Sequence, residues 1–301
     1  MITLGDKGKE VSQLQKYLSM LGYDLVIDGG FGNKTLRSLK AFQKKYGLLV
    51  DGIAGDQTFS ALKAAQKRTS KEEKGTGNSK SYGDIDIDTD NNMDPEQYIK
   101  QVFPKDKLFI HYTVSGPSAK GVMRYWNGNE SRIATAFVMS GRGDEDGKVY
   151  EAFNPDYWSY HLGIKGTKGK LDKNSIGIEI CAWGRLTKKG EKFYNAYGAE
   201  VAIDEVYTLE DKWRGNLYYH AYSDKQIESL EKLVLWIVKE YKIPVQDIVF
   251  DKDWAEYDET VIRDRTPGIW THTTVRKDKQ DTYPDKRIFD MLNRIKTQIN
   301  G

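Results

Sequence analysis

The seventeen-residue segment GIWTHTTVRKDKQDTYP (268–284) carries His272, Lys279 and Asp281. Imidazole and carboxylate are zinc ligands, and an ammonium beside them could stabilise a growing negative charge. The same segment could also be a solvated turn, since surface loops commonly carry charge. The chain has four histidines, His111, His161, His220 and His272. A catalytic zinc site takes three protein ligands and leaves a fourth position open to water, so two histidines and one aspartate satisfy the count. His111 and His272 lie far apart and can converge only through the fold. A further acid, Glu179, sits inside the run SIGIEI (175–180), where Ile176, Ile178 and Ile180 share one face and Gly177 and Glu179 the other. An acid within an apolar strand is costly unless it is paired or at work.

These groups need rigid elements behind them. KLFIHYTVSG begins with a buried-strand run, Leu108–Phe109–Ile110, that leads into His111. TAFVMSG and KVYEAF read as further strands with a polar turn between them. Ser223 and Gln226 form a capping-box pair ahead of a long helix whose face is Ile227, Leu230, Val234, Ile237 and Tyr241. Strands interleaved with helices predict an α/β domain, a mixed central sheet flanked by helices.

With 301 residues the chain is long enough for two domains. Lys+Arg number 46 and Asp+Glu 44, so nothing demands nucleic acid as a partner. The single cysteine, Cys181, permits no internal disulfide and reads as a core residue. No run approaches the ~20 apolar residues of a membrane span, and MITLGDKGKE has no apolar core of a signal peptide. A monomer made in the cytoplasm, with no membrane partner, is therefore expected. Residues 67–97 are charged, rich in Gly and Ser and poor in large apolar side chains, which predicts a flexible linker. Ahead of it, DGGFGNKT (from Asp28) and DGIAGDQT (from Asp51) repeat D-G-x-x-G-x-x-T. Each is a glycine turn followed by a Thr or Asn suited to cap a helix. Residues 1–66 thus read as a small all-α, three-helix domain, and 98–301 as the catalytic domain.

Two resemblances attach to these motifs. The V-x-x-L-Q, F-Q and paired D-G-x-x-G-x-x-T elements of residues 4–65 resemble the three-helix peptidoglycan-binding domain of many cell-wall hydrolases, which implies bacterial peptidoglycan as partner. Over residues 105–290, the order I-H-Y-T, Y-H-L-G, S-I-G-I-E, helix, T-H…K-x-D-x-x-P is similar to the zinc-dependent N-acetylmuramoyl-L-alanine amidases, whose fold is shared with peptidoglycan recognition proteins. The resemblance implies Zn2+ held by His111, His272 and Asp281, with Glu179 and Lys279 catalytic. It also implies His161, Tyr112 and Thr113 in the substrate groove. Asp278 and Asp285 are rival carboxylates, but Asp281 fits K-x-D-x-x-P. Tyr160 stands where the family usually has Trp. The stretch 182–222 is longer than the usual connection, and its EVAIDEVYTL suggests an inserted hairpin near the groove that selects among peptide stems.

The implied activity is hydrolysis of the amide between N-acetylmuramic acid and L-alanine. The organisation resembles a phage endolysin, held in the host cytoplasm until a holin releases it. A zinc peptidase of the stem is the rival enzyme, but its H-x-x-x-x-x-x-D and later H-x-H pattern is absent. Recognition proteins on the same fold typically lose a zinc ligand, and here all three positions are filled.

Overall fold

The computed structural model describes residues 1–21, 23, 25–63, 82–90, 92–128, 131–164, 166 and 169–301. The chain divides into two compact units, Met1–Ser81 and Tyr82–Gly301.

The first unit is built on α1 (Lys9–Met20), α2 (Asn33–Lys45) and α3 (56–63). Val11, Leu14, Leu18, Leu39, Phe42 and Leu62 form its core. Its repeat has a physical cause. The buried Gln15 donates to the Asp28 carboxylate (2.8 Å) and the Gly30 carbonyl (2.9 Å) and accepts from Gly29 N (2.9 Å). Gln43 does the same to Asp51 (2.8 Å), the Ile53 carbonyl (3.0 Å) and Gly52 N (2.9 Å). Each D-G turn is thus fastened to the helix before it, and its glycine takes φ of 73° or 76°, where a side chain is disfavoured. The motif threonines differ from the capping role expected of them. Thr35 accepts from Gln15, and Thr58 points back to the Ile53 carbonyl.

The second unit is organised by a six-stranded mixed sheet whose strands lie side by side in the order 87–88, 149–151, 137–139, 175–180, 107–112 and 268–271. In chain order its elements are β1 (Ile87–Asp88), β2 (Lys107–Tyr112), α4 (Ala119–Asn127), β3 (Phe137–Met139), β4 (Val149–Glu151), α5 (Lys170–Lys173) and β5 (Ser175–Ile180). There follow β6 (Thr187–Lys189), β7 (Lys192–Tyr194), β8 (Glu200–Val201), β9 (Val206–Trp213) and β10 (Asn216–His220). The chain closes with α6 (Asp224–Tyr241), α7 (Glu259–Arg263), β11 (Gly268–Thr271), α8 (His272–Val275) and α9 (Lys286–Asn300). β2 runs parallel to both β5 and β11. Parallel neighbours bring their carboxyl ends to one edge, where open α/β sheets commonly place a site. The capping box of α6 forms as read, with Ser223 accepting from Gln226 N and Gln226 accepting from Ser223 N.

Two expectations need correction. Of the segment read as linker, 67–81 lies outside the described residues, whereas 82–90 and 92–97 belong to the sheet unit. Ile87 pairs with Val149, Met93 is buried and its N–H donates to the Ala152 carbonyl (2.7 Å), and Tyr82 packs on Trp236 (4.5 Å). An edge strand is held by backbone hydrogen bonds, which composition does not report, and a few apolar anchors suffice. The stretch EVAIDEVYTL is also not one hairpin. Glu200–Val201 joins the three-stranded sheet β6-β7-β8, a 3-10 turn at Ile203–Glu205 follows, and Val206 starts the separate β9–β10 pair.

Candidate active site

The carboxyl edge of β2, β5 and β11 gathers the chemistry. Thr271 pairs with Ile110, so His272 and His111 both follow that rung, and His111 lies directly across from Glu179. The turn after β11 is fixed by a capping box between Thr271 and Thr274, which sets His272 as the first residue of α8. The Thr273 N–H donates to the Asp281 carbonyl (3.0 Å) and draws the returning loop in. GIWTHTTV is therefore buried throughout rather than a solvated turn.

His111 Nδ1, His272 Nδ1 and Asp281 Oδ2 lie 3.0–3.1 Å from one another, all on buried residues. The other ring nitrogens decide what those atoms present. His272 Nε2 is 2.9 Å from the Leu162 carbonyl, an acceptor only, so Nε2 carries the hydrogen. Ser175 Oγ donates to the Asp172 carbonyl (3.3 Å) and accepts from His161 Nε2 (2.8 Å). His161 Nδ1 is then an acceptor for His111 Nε2–H at 3.0 Å. In the neutral rings both Nδ1 lone pairs face the Asp281 oxygen with no hydrogen between them. Such a donor set calls for a cation. Burial pushes His111 down to about 4 and His161 well below its usual value, so both are neutral near pH 7. Burial alone would raise the Asp281 carboxyl. When a proton on the rings stands in for a metal, the His272 charge and the two imidazole hydrogen bonds outweigh it and hold the group well below the usual carboxylate range. The residues fit a divalent metal.

The site-facing side of β5 reads Ser175, Gly177, Glu179. Ser175 orients His161. A Cβ at Gly177 would come within 2.7 Å of Thr135 Cγ2 and 3.0 Å of His161 Nδ1, so glycine makes room for the ring. Glu179 is partly open to solvent and lines a groove of about 510 Å³. Burial and the Asp281 charge raise its carboxyl well above the ordinary value, and Lys279 opposes them. The Lys279 charge also acts on His111.

Several expected residues stand elsewhere. His161 is not in the groove. It is buried behind His111, because its ring packs into the space left by Gly177. Tyr112 is buried as well, with its ring against Tyr283 (6.3 Å), since it falls on the face of β2 opposite His111. Thr113 does line the groove. His220 lies at the end of β10, 3.6 Å from Glu205, outside the cluster. The rival carboxylates are engaged: Asp278 pairs with Arg276, and Asp285 caps α9 and pairs with Arg287 (2.6 Å). Tyr160 is exposed and packs edge-on to Trp158, so its site tolerates the departure from Trp. Sequence reasoning missed Ser175, although its two-residue alternation with Gly177 and Glu179 could have revealed it. It also missed Arg276, which donates to the Leu162 and Gly163 carbonyls at 3.4 and 3.3 Å.

The His161 placement has a measurable consequence. His161→Ala should lower metal affinity about 10–100-fold, the usual cost of losing an outer partner. Competition titration with a chelating dye checks this, and unchanged affinity would contradict the orienting role.

Residues 7–62 match the family model described as a putative peptidoglycan binding domain, and residues 101–284 match that of N-acetylmuramoyl-L-alanine amidase. The comparison with curated proteins gave no match. Among solved structures, the SleB N-terminal domain is 42% identical, with 22% of this chain and 90% of that one covered and a TM-score of 0.21. The Burkholderia AP3 phage endolysin is 45% identical over 21% of this chain and 25% of its own, with a TM-score of 0.21. The catalytic domain of XlyA is 16% identical over 72% of this chain and 99% of that one, with a TM-score of 0.37. The amidase match spans more than half of the chain and takes in the whole cluster on the sheet edge, from His111 through Glu179 to Asp281. The chain belongs to the N-acetylmuramoyl-L-alanine amidase family and carries a peptidoglycan-binding domain ahead of the amidase domain.

Proposed function

We propose that this peptidoglycan amidase works with a single zinc ion held by His111 Nδ1, His272 Nδ1 and Asp281. Bound there, zinc would lower the pKa of a water toward ~7 and polarise the scissile carbonyl. Glu179 faces His111 across the β2–β5 rung and opens on the groove. It accepts the proton of the attacking water and returns it to the departing amino group of L-alanine. A raised carboxyl pKa suits both halves of that task, since catalytic groups work best near the ambient pH. Lys279 sets its ammonium where the carbonyl oxygen becomes an oxyanion. The groove runs from Glu179 along Thr113–Ser118 to Tyr125 and Trp126 of α4 and to Tyr197, from the turn between β7 and β8. Tyr125 and Tyr197 are 75% and 73% exposed, and such rings suit the apolar faces of a sugar or an alanine methyl. In this reading the insertion shapes the groove through Tyr197.

The observation that carries the metal assignment is the set of second-nitrogen hydrogen bonds, which turn both Nδ1 lone pairs toward Asp281. The two-domain organisation supports a lytic role: the wall-binding domain keeps the amidase on its polymer, and the protein acts as an endolysin released from a host cytoplasm through a holin. Among the described residues no helix is long and apolar enough to cross a membrane. Elemental analysis of purified protein tests the metal. One zinc per chain is expected, lost on chelation together with activity and regained with it. Full activity in metal-free protein would overturn the reading.

A further inference from the structure

We propose that Arg214, at the tip of the β9–β10 hairpin, is a positioning residue that holds the 277–280 loop, and with it Lys279, where the reaction needs it. The role rests on the amidase reading above.

The hairpin closes in two residues, because Trp213 pairs with Asn216. Arg214 and Gly215 take φ of 48° and 81°, both left-handed. Such a turn favours Asn or Gly at its first position, and arginine there is disfavoured. The arginine side chain does not run out to solvent. The side chain is 16% exposed, Nη1 donates to the Lys277 carbonyl (2.9 Å) and to that of Lys279, and Nη2 lies 3.7 Å from the Glu256 carboxylate. The indole N–H of Trp213 donates to the other Glu256 oxygen, so two successive residues of the hairpin hold one carboxylate. One planar cation thus ties together two carbonyls of the loop, which a point charge on a flexible stem does poorly.

The same hairpin grips the far end of that segment. Tyr219 stacks on Tyr283 at 4.6 Å, and the Tyr283 hydroxyl donates to the His220 carbonyl (3.1 Å). Lys279 is held at the first grip, and Asp281 lies between it and the second. The loop's own contribution at Lys279 is one turn bond, from its N–H to the Arg276 carbonyl. Lys277 and Asp278 are exposed, so packing holds the loop weakly at its outer end. An ammonium acts on an oxyanion only from the correct place, and a misplacement near 1 Å can cost about 100-fold in rate. A residue unfavourable for its own turn, bonded to the backbone of the loop that carries the cation, is what such a demand would retain.

Arg214→Gly separates bracing from simple stabilisation, because glycine suits the turn. In the full chain with its metal, the bracing role predicts an equal or higher melting temperature and unchanged metal content. It also predicts kcat lower by about 10- to 100-fold, with KM within about twofold. Amide exchange should speed up at residues 277–281 and nowhere in β9–β10. Arg214→Lys, keeping the charge but not the fork, should recover only part of kcat. Wild-type kcat in Arg214→Gly would overturn the proposal. So would a loss that tracks a falling melting temperature with faster exchange across the whole hairpin. Exchange does not depend on the chemistry: if the wild-type protein cleaves no amide, the amidase reading fails on that result, and unaltered exchange at 277–281 in Arg214→Gly independently overturns the brace.

Discussion

The His272→Ala protein is expected to retain neither metal nor amidase activity. His272 supplies one of the two ring nitrogens that face Asp281, and its Nδ1 is 3.1 Å from that of His111 and 3.0 Å from Asp281 Oδ2. The loss should exceed the 10–100-fold that an outer partner such as His161 costs, because a ligand itself is removed. The fold should persist in weakened form. α8 is capped by Thr271 and Thr274 rather than by the imidazole, and β11 is held in register by β2. The Asp281 carboxyl, deprived of His272, is left buried with a weaker cationic environment and should rise toward protonation. Elemental analysis with a peptidoglycan-release assay checks the result. Retained zinc in a folded His272→Ala protein would remove this residue from the ligand set.

Glu179→Gln should separate chemistry from metal binding. The amide matches the shape of the carboxylate but cannot carry the proton, so turnover should fall by about 10²–10⁴ while zinc content stays at the wild-type level. The metal-free variant should also be more stable than the metal-free parent at neutral pH. The folded state raises the Glu179 carboxyl above its ordinary 4.5, through burial and the Asp281 charge. An acid so raised binds its proton more tightly when folded, so its contribution to stability falls as pH climbs from 4.5 through the raised value. Above that point the cost stays, at about 1.4 kcal/mol for each tenfold by which folding tightens the proton's hold. The gain in Glu179→Gln should therefore be absent below pH 4.5 and grow as the pH rises above it. Thermal unfolding of both chelated proteins across that range checks the sign. A lower melting temperature at neutral pH would show that the carboxylate is a net stabiliser.

Much of this arrangement was legible in local patterns. Ser223 and Gln226 announce the start of α6, and the two D-G turns announce the first unit. The alternation in SIGIEI places Glu179 on the face away from the isoleucines. Local signals worked there because capping and two-residue periodicity are properties of neighbouring residues. The convergence of His111 with His272 was not local. It depends on the parallel register of β2 and β11, across 161 residues, and only the family resemblance supplied it beforehand. His161 lies behind His111 and not in the groove, because a motif gives a residue's presence but not its direction, and that direction follows from the missing Cβ at Gly177. The sheet strand at Ile87–Asp88 was hidden inside a polar stretch, since an edge strand needs backbone pairing more than apolar side chains. In the sequence the insertion is legible only as an anomaly of length. That its two sheets serve different ends, Tyr197 toward the groove and Arg214 toward the loop of Lys279, emerges only in three dimensions.

The most direct test of the central claim is mass spectrometry of the fragments released from purified peptidoglycan by the intact protein, with and without chelator. The account predicts free stem peptides beginning with L-alanine and glycan strands stripped of peptide, both lost on chelation and restored by zinc. Trimmed stems still attached to sugar would instead show a peptidase, and wall binding with no released fragment would show a recognition protein. Either result would contradict the roles assigned to Glu179 and Lys279.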